Sequence, residues 1–491
     1  MKALSVNGAR ILLVVGSLVW LHPAGAHFGH GTGPAFTPCR IGMPDTAFHM
    51  QAKCTSLPVA ENPAKPDGKR IDLHIAVLPA HSSKPSADAL FYLAGGPGQA
   101  ATEAFVTEAA AFSRIRTKRD IVLIDQRGTG GSNRLDCPAA SNAEESFGRA
   151  AALKQAKACL AQLKADPRFY TTTVAVKDLD AVRRALGYGQ IDLYGISYGT
   201  RVALEYLRKF PAHVRSVILD GVVPPDWNVG STVSLDAQHS LDRIFDRCAR
   251  QPDCRRAFPD LKAEFLSLQR KLEAHPAKLE LRDPDKGTLL AKALTWNKAA
   301  GAIRLLSYSS DTAALLPLLI HQAAANDYAP LMAQALIFSR SVNEGIAEGM
   351  YTEVLCTEDV PFYKHDKQHA SEGYVGARPL DSLLTACSVW PRGIMAADFK
   401  QPVKSNKPVL LISGRDDPIT PPSNAEHVAQ TLSNSLSLTV PGQGHGNAMR
   451  GCIPRLMSQF VSQASVKGLD QHCVDSIRAF PFFVNFNGPR P

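Results

Sequence analysis

The segment that decides the fold is Ile191-Asp192-Leu193-Tyr194-Gly195-Ile196-Ser197-Tyr198-Gly199, which leads into a helical stretch from Val202 to Leu207. A short apolar run, a G-x-S-x-G turn and a helix form the context in which a serine is held on a sharp turn at the carboxyl end of a strand. Glycines flank the serine because strand and helix approach each other closely there. The segment therefore predicts a strand-turn-helix unit with Ser197 as a nucleophile.

The sequence on both sides of this unit predicts a mostly parallel sheet interrupted by a helical cap. From Thr171 to Leu186 an apolar face recurs at helical spacing, and short apolar runs predict strands. These runs are Leu90–Ala94, Ile121–Asp125, Ile191–Tyr194, Val217–Asp220, Pro408–Ser413 and Leu436–Val440. Leu- and Ala-rich helical periodicity dominates between the fourth and fifth runs. We therefore predict an α/β core in two parts, 27–225 and 401–491, with a cap at 226–400.

Residues 1–26 have the features of a cleaved signal peptide. Lys2 and Arg10 precede an apolar run from Ile11 to Leu21, and Ala24-Gly25-Ala26 supplies small residues for cleavage. A run this short falls below the roughly 20 residues of a membrane-spanning helix, although a retained anchor stays open as the alternative. We expect an exported protein, periplasmic or extracellular, that has no membrane segment after cleavage.

The ten cysteines are expected to form five disulfides, because an even count in an oxidising compartment favours disulfides over metal sites. Pairing of sequence neighbours gives Cys39–Cys54, Cys137–Cys159, Cys248–Cys254, Cys356–Cys387 and Cys452–Cys473. No C-x-x-C pair suggests zinc, and we predict neither a metal nor a cofactor. The net charge of +9 is carried by scattered residues, so nucleic acid is not an expected partner. The oligomeric state is left open.

A serine nucleophile needs a base, and the base needs an acid that orients it. In folds of this type the chain order is Ser, acid, His. Asp417 follows the Pro408–Ser413 run, and His445 follows the next run within Gly442-Gln443-Gly444-His445-Gly446. We predict these two as acid and base, with Asp416 and Asp220 as the competing acids.

The third requirement is an oxyanion hole, a pair of backbone N–H groups that stabilise developing negative charge. Gly95-Gly96-Pro97-Gly98 follows the Leu90–Ala94 run, so we predict the N–H groups of Gly96 and Tyr198 as donors. Arg127 could bind a substrate carboxylate, but a structural role in the loop beside the oxyanion segment is favoured.

Five motifs together resemble the tripeptidyl and prolyl aminopeptidase family of α/β-hydrolases. They are A-G-G-P-G at 94–98, D-Q-R-G-T-G-G-S at 125–132, G-I-S-Y-G-T at 195–200, L-D-G-V-V at 219–223 and D-P-I-T-P at 417–421. The resemblance runs from about Cys54 to Cys473. It implies the α/β-hydrolase fold with a cap inserted in the mostly parallel sheet. The family often has His or Pro where this chain has Ala94, which leaves the fine geometry of that loop open.

The resemblance also implies a serine exopeptidase that acts on peptides with a free N-terminus. Acidic cap residues would bind the substrate ammonium, and Glu358 and Asp359 are the candidates. The structural alternative is that they only end a helix. An esterase that uses the same three residues is the second functional hypothesis, since fold and triad do not separate the two. An inactive binding module is a third hypothesis, which the intact triad disfavours.

Overall fold

The computed structural model describes residues 33–43, 49–138, 148–363 and 372–489. The predicted signal peptide lies outside the described residues. Numbered in chain order, the strands are β1 Thr37–Gly42, β2 His49–Ala60, β3 Arg70–Leu78, β4 Ala89–Leu93, β5 Ile121–Ile124, β6 Ile191–Ile196, β7 Val214–Asp220, β8 Ala277–Arg282, β9 Leu289–Leu294, β10 Val409–Gly414 and β11 Ser435–Val440.

Nine of the described strands form one sheet in the order β1-β2-β3-β5-β4-β6-β7-β10-β11. The strands from β5 to β11 in this order pair in parallel, whereas β1, β2 and β3 add an antiparallel edge. All six predicted strands are present, with ends shifted by at most three residues. The three N-terminal strands were not predicted. The mostly parallel α/β fold is confirmed.

The helices that connect these strands are α1 Ala101–Glu108, α2 Ser113–Arg116, α3 Arg149–Gln162, α4 Thr172–Ala185, α5 Tyr198–Lys209, α6 Val233–Arg250, α7 Pro252–Ala257, α8 Leu261–Ala274, α9 Trp296–Leu306, α10 Ser310–Ala313, α11 Leu316–Ala324, α12 Ala329–Gly345, α13 Glu348–Glu358, α14 Arg378–Cys387, α15 Pro422–Ala429, α16 Ile453–Gln463 and α17 His472–Asp475. The short 3₁₀ helices are Ala109–Phe112, Pro167–Phe169, Pro211–His213 and Val360–Phe362. Within the described ranges, no helix combines the length and apolar character that crossing a membrane requires.

Both faces of the sheet are covered by helices, so its central strands are apolar on both sides. One face packs against α4 and α5 through residues such as Phe91, Leu193 and Val202. The other face packs against α1 and α16 through residues such as Tyr92 and Phe460. This double burial explains why β4, β5 and β10 are continuous apolar runs with no polar alternation.

The segment between β7 and β10 forms a cap with its own hydrophobic core. Apolar residues of α6, α8, α9 and α11 build this core, among them Leu241 and Leu268. The cap is not wholly helical, because β8 and β9 pair as an antiparallel hairpin. In addition α14 packs against α3, which precedes the cap in sequence. Apolar and charged residues alternate along β8, in step with its alternating exposure, and a search for helical spacing overlooks this two-residue period.

All five predicted disulfides are present, and no described cysteine is free. Cys356–Cys387 joins α13 to α14 across 31 residues of chain, whereas Cys248–Cys254 closes a separation of 6 residues. Disulfides of this number are typical of proteins that fold in oxidising compartments.

Removing the longer disulfide should destabilise the cap more than removing the shorter one, because a longer closed loop restricts the unfolded chain more. The loop-closure relation gives about 4 kcal/mol for the C356S/C387S variant and about 2 kcal/mol for C248S/C254S. Denaturant unfolding of both variants measures the difference. Equal losses would contradict the loop-length argument, and ten reactive thiols in denatured, unreduced protein would contradict the pairing.

Candidate active site

Ser197 occupies the tight turn between β6 and α5. Its backbone has φ 55° and ψ −125°, a conformation that non-glycine residues seldom adopt. The Ser197 N–H donates to the Asp220 carbonyl at 2.9 Å, and the Thr200 hydroxyl donates to the Ser197 carbonyl at 2.6 Å. These bonds hold the turn in its strained conformation, so the serine side chain projects from the carboxyl edge of the sheet.

The glycines two residues before and two residues after Ser197 lie so close to other backbone atoms that a side chain would not fit at either position. A Cβ at Gly199 would collide with the Leu93 carbonyl oxygen and would lie 2.7 Å from that of Ala94. A Cβ at Gly195 would collide with the carbonyl of Gly199 itself. Since real Cβ atoms do not approach backbone oxygens this closely, α5 can meet β4 and β6 only with glycine at these positions.

His445 and Asp417 form a hydrogen-bonded pair at the same edge. His445 Nδ1 lies 2.8 Å from Asp417 Oδ2, and the carboxylate is fully buried. Asp417 Oδ1 accepts from the N–H groups of Ile419 and Thr420, both at 2.9 Å. The Thr420 hydroxyl donates to Asp417 Oδ2 at 2.8 Å and lies 2.9 Å from His445 Nδ1. The carboxylate is therefore held by its own turn while it contacts the imidazole.

The imidazole of His445 lies over the end of β7, next to the serine turn. A Cβ at Gly221 would be 2.8 Å from His445 Cε1, and Gly221 follows the residue whose carbonyl binds the Ser197 N–H. Burial lowers the pKa of His445, but the Asp417 carboxylate, together with Asp220 and Glu108, outweighs that effect and raises the pKa above its usual value. The structure thus places the hydrogen-bonded pair of His445 and Asp417 next to the end of β7, whose last residue binds the turn that carries Ser197.

The competing acid Asp220 binds the backbone of the histidine loop and not the imidazole. Its Oδ2 accepts from the N–H groups of Asn447 and Ala448 at 2.7 and 2.8 Å, and from the Tyr194 hydroxyl at 3.0 Å. Burial raises the pKa of Asp220 to about 6. Asp220 is therefore placed to hold the loop that carries His445.

The other competing acid, Asp416, faces the cap. Its Oδ1 lies 3.4 Å from Nε of Arg243 on α6, and its carbonyl accepts from the Ser240 hydroxyl at 2.6 Å. Neighbouring side chains on the turn thus point apart. Of the three acids weighed from the sequence, Asp417 is the one that hydrogen-bonds to His445.

The predicted oxyanion segment forms a tight loop after β4. Gly96 and Gly98 have φ values of 105° and 103°, so side chains there would strain the backbone. In the described part of the chain, no residue accepts from the N–H of Gly96 or from that of Tyr198, the first residue of α5. The first N–H groups of a helix lack intrahelical partners, which leaves Tyr198 available as a donor.

The N-terminal end of α13 rests on the oxyanion segment. The N–H of Ala347 donates to the Gly98 carbonyl at 2.9 Å, and a Cβ at Gly98 would lie 3.1 Å from Ile346 Cγ2. The cap therefore positions this loop directly. A change in the cap can alter the oxyanion geometry without touching the triad.

Glu358 is fully buried at the end of α13 and meets the start of α4. Its two oxygens accept from the N–H and the hydroxyl of Thr172, at 2.7 and 2.9 Å. The Thr172 hydroxyl lies 2.6 Å from the Tyr198 hydroxyl, which links Glu358 to the residue after the serine. Burial raises the pKa of Glu358 to about 7. A carboxylate at a helix start is stabilising, so Glu358 has a structural contact whatever else it binds.

Asp359 is also fully buried and is already paired. Its two oxygens accept from Arg201 Nη1 and Nη2 at 2.9 and 3.0 Å, and Lys400 Nζ lies 3.5 Å away. The nearest Arg201 nitrogen to Glu358 is 4.0 Å away. The structure brings both acids near the base of the serine turn, but the charge of Asp359 is neutralised within the protein.

Arg127 has the structural role that the sequence favoured. Its guanidinium donates to both oxygens of Asp178, at 2.6 and 2.9 Å, and to the carbonyls of Glu61 and Phe169. With 1% of its surface exposed, it ties the loop after β5 to α4.

Two residues that contact His445 were missed from the sequence. Thr420 stands inside the quoted D-P-I-T-P motif, and its spacing of three from Asp417 is the signal that could have identified it. Tyr308 accepts the N–H of His445 on its carbonyl at 2.6 Å, and its ring lies 5.3 Å from the imidazole. No local pattern marks Tyr308, because it reaches the site from the cap.

The chain matches known proteins over most of its length. The serine protease Hip1 of Mycobacterium tuberculosis is 25% identical over 87% of this chain and 88% of its own. The tripeptidyl aminopeptidase of Streptomyces coelicolor is 25% identical, covering 86% and 83%. Carboxylesterase B of Mycobacterium tuberculosis is 24% identical, covering 89% of both chains. Residues 88–451 match the family described as alpha/beta hydrolase fold. With its serine turn, its mostly parallel sheet and its inserted cap, this chain belongs to the alpha/beta hydrolase family.

Proposed function

We propose that this protein is an exported serine exopeptidase that releases residues or short peptides from peptides with a free N-terminus. The observation that carries the proposal is the 2.8 Å contact of Asp417 with His445 at the sheet edge that presents Ser197. Two relatives named serine protease and tripeptidyl aminopeptidase support the peptide substrate. The five disulfides and the N-terminal signal pattern support export.

The geometry supports an acyl-enzyme route. Asp417 occupies His445 Nδ1, so Nε2 is the nitrogen left to take the proton as Ser197 Oγ attacks the carbonyl carbon. The N–H groups of Gly96 and Tyr198 would stabilise the oxyanion. His445 then gives the proton to the leaving amine, and water hydrolyses the ester on Ser197 by the same steps.

Free N-termini are the proposed target because of the acids beneath the serine turn. Asp359 is neutralised by Arg201, so Glu358 is the better candidate for the substrate ammonium. A half-ionised carboxyl group with a pKa of about 7 would gain its charge when an ammonium binds beside it.

The second candidate function is ester hydrolysis. It is favoured by the relative named carboxylesterase, which the chain matches along almost all of its length. The same triad can catalyse both reactions, so the two functions differ in the substrate that is bound and not in the catalytic residues. Paired peptide and ester substrates therefore form the basis of the tests.

Asp417→Asn should lower turnover by about 10⁴-fold, because the amide favours the wrong tautomer of His445. Asp220→Asn should cost about tenfold at most, since the remaining amide oxygen can still accept from Asn447, Ala448 and Tyr194. Steady-state hydrolysis of a chromogenic ester measures both variants. Asp416→Asn, whose side chain faces Arg243, is the matched control. If turnover fell strongly in Asp220→Asn and stayed nearly normal in Asp417→Asn, Asp220 and not Asp417 would be the acid that orients His445.

The activity should rise with pH through an apparent pKa above the ordinary histidine value of about 6.5. The sign follows because His445 accepts the serine proton only when neutral, and Asp417 raises its pKa. In Asp417→Asn the raising charge is lost, so the acid limb of kcat/KM against pH should move to lower pH. A limb that stays in place would mean that another group controls it.

Glu358→Gln should impair peptide cleavage far more than ester cleavage if Glu358 holds the substrate ammonium. Loss of one partner of a buried charge pair costs about 2–5 kcal/mol, or roughly 30-fold and upward in kcat/KM. The unmodified enzyme should for the same reason reject N-acetylated peptides. Ratios of kcat/KM for a free-amine peptide and a simple acyl ester measure the effect.

Glu353→Gln is the matched control for that test. Glu353 is another fully buried acid of α13, but it bonds to Thr357 and Trp390 and not to Thr172. The Glu353→Gln variant should leave the ratio of kcat/KM for the peptide to kcat/KM for the ester unchanged. Equal losses of both substrates in Glu358→Gln would assign Glu358 a structural role, and free cleavage of acetylated peptides would exclude the exopeptidase.

A further inference from the structure

Near the candidate triad lies a cap arginine that has no acidic partner among the described residues. Arg304, in the last turn of α9, donates from Nη1 to the Tyr308 hydroxyl at 2.9 Å, and its guanidinium lies 5.4 Å from the centre of the Tyr308 ring. Among the residues that the structure describes, no carboxylate forms an ion pair with it. The buried arginines Arg127 and Arg201 each bind a carboxylate through two nitrogens.

The Tyr308 hydroxyl contacts Arg304 where the two buried arginines have an acid, and two further tyrosines lie within its electrostatic reach. Burial works against the pKa of Arg304, but Tyr308, Tyr374 and Tyr351 together raise it above its usual value. The Tyr374 hydroxyl is buried and has no hydrogen-bond partner in the described part of the chain, and the residue is only 3% exposed. A buried hydroxyl is normally hydrogen-bonded, so the Tyr374 hydroxyl, within electrostatic reach of Arg304, is a donor that the described residues leave unused.

This cluster lies on the His445 side of the site. The Tyr308 ring packs edge-on against the imidazole, with centroids 5.3 Å apart, and Arg304 extends from the hydroxyl end of that ring. Because the histidine delivers its proton to the departing group, the leaving fragment of the substrate has to lie near His445. The cluster is therefore positioned to meet the leaving fragment.

We propose that Arg304, with the hydroxyls of Tyr308 and Tyr374, forms a subsite for a carboxylate on the leaving-group side of the scissile bond. Guanidinium groups bind carboxylates through directed, charge-assisted hydrogen bonds, and the phenols supply further donors. The carboxylate is either the C-terminus of a short peptide or an acidic side chain. This subsite rests on the proposed function and names its substrate class as short peptides with an anionic leaving fragment.

The location of the proposed ammonium site agrees with this substrate class. Tyr351 lies on α13, the helix that ends at Glu358, and it is within electrostatic reach of Arg304. A short peptide carries one charge at each end, and its two ends would complement the Glu358 carboxyl group and the Arg304 guanidinium.

The test uses pairs of N-terminally free peptides that differ only in a C-terminal carboxylate or carboxamide, in a ladder of increasing length. A second arm uses carboxamide peptides with Asp or Asn as the first residue of the leaving fragment. The unmodified enzyme should prefer the carboxylate by about tenfold in kcat/KM in at least one arm. The arm that responds identifies the source of the carboxylate, and in Arg304→Met its ratio should fall to near one.

Controls separate the subsite from structural damage and from the peptidase proposal. Arg270→Met removes an exposed cap arginine on α8 and should keep the unmodified ratio, while Arg304→Lys keeps a charge and should retain part of it. An ester pair, para-acetoxybenzoate and para-acetoxybenzamide, places the same change on the leaving group without a peptide bond. Ratios in the variants are compared with those of the unmodified enzyme, which cancels the intrinsic reactivity of the two esters.

The outcomes distinguish the two proposals. Suppose that peptides are cleaved but the ratio of kcat/KM for the carboxylate peptide to that for the uncharged peptide is near one in both arms. That result, or a ratio that Arg304→Met leaves unchanged, would overturn the subsite while the exopeptidase proposal stands. If only esters are cleaved, the exopeptidase fails, and the ester pair decides the subsite: a ratio lost in Arg304→Met supports it and a constant ratio overturns it.

Discussion

The close contact between Gly199 and the carbonyls of Leu93 and Ala94 is the constraint on which the rest of the site depends. It lets α5 begin directly against the ends of β4 and β6, with no side chain between them. Ser197 is therefore raised on a strained turn, and the N–H of Tyr198 is brought beside the Gly95–Gly98 loop that follows β4. The candidate nucleophile and the candidate oxyanion donors are positioned by the same packing. The strain at Ser197 is stabilised by the buried core that surrounds it.

Three acids near the histidine have three different tasks, which burial and backbone contacts assign. Asp417 accepts two N–H groups of its own turn and is free to orient the imidazole with its second oxygen. Asp220 Oδ2 accepts from backbone N–H groups just after His445, and Asp416 contacts the cap. Because Asp220 ends the strand between β6 and β10, it connects the serine turn to the histidine loop. The histidine is thus located by one carboxylate and oriented by another.

The sequence was sufficient for the parts of this arrangement that local patterns determine. Apolar runs predicted the sheet, and the G-x-S-x-G turn and the order of Asp417 and His445 predicted that these three residues follow strand ends, where the structure places them. Neighbour pairing predicted all five disulfides, because each bridge joins cysteines that are close in the chain. The hairpin β8–β9 and the antiparallel edge were missed. Their strands are partly exposed, and their polar alternation was outweighed by helical spacing nearby.

Contacts between distant segments could not be predicted in the same way, and the cap acids illustrate the reason. Asp359 and Arg201 are 158 residues apart, so no spacing in the sequence reveals that one neutralises the other. The same holds for Arg304, whose significance lies in the acid that is missing from its described surroundings. A protein interior tolerates a guanidinium most easily beside a carboxylate, and Arg127 and Arg201 follow that rule. Arg304, which is half-buried, contacts the Tyr308 hydroxyl instead, and the Tyr308 ring packs against the imidazole. Perturbed or unpaired charges concentrate where proteins bind their ligands, and the cap contacts proposed here to meet the substrate are of a kind that only the three-dimensional structure reveals.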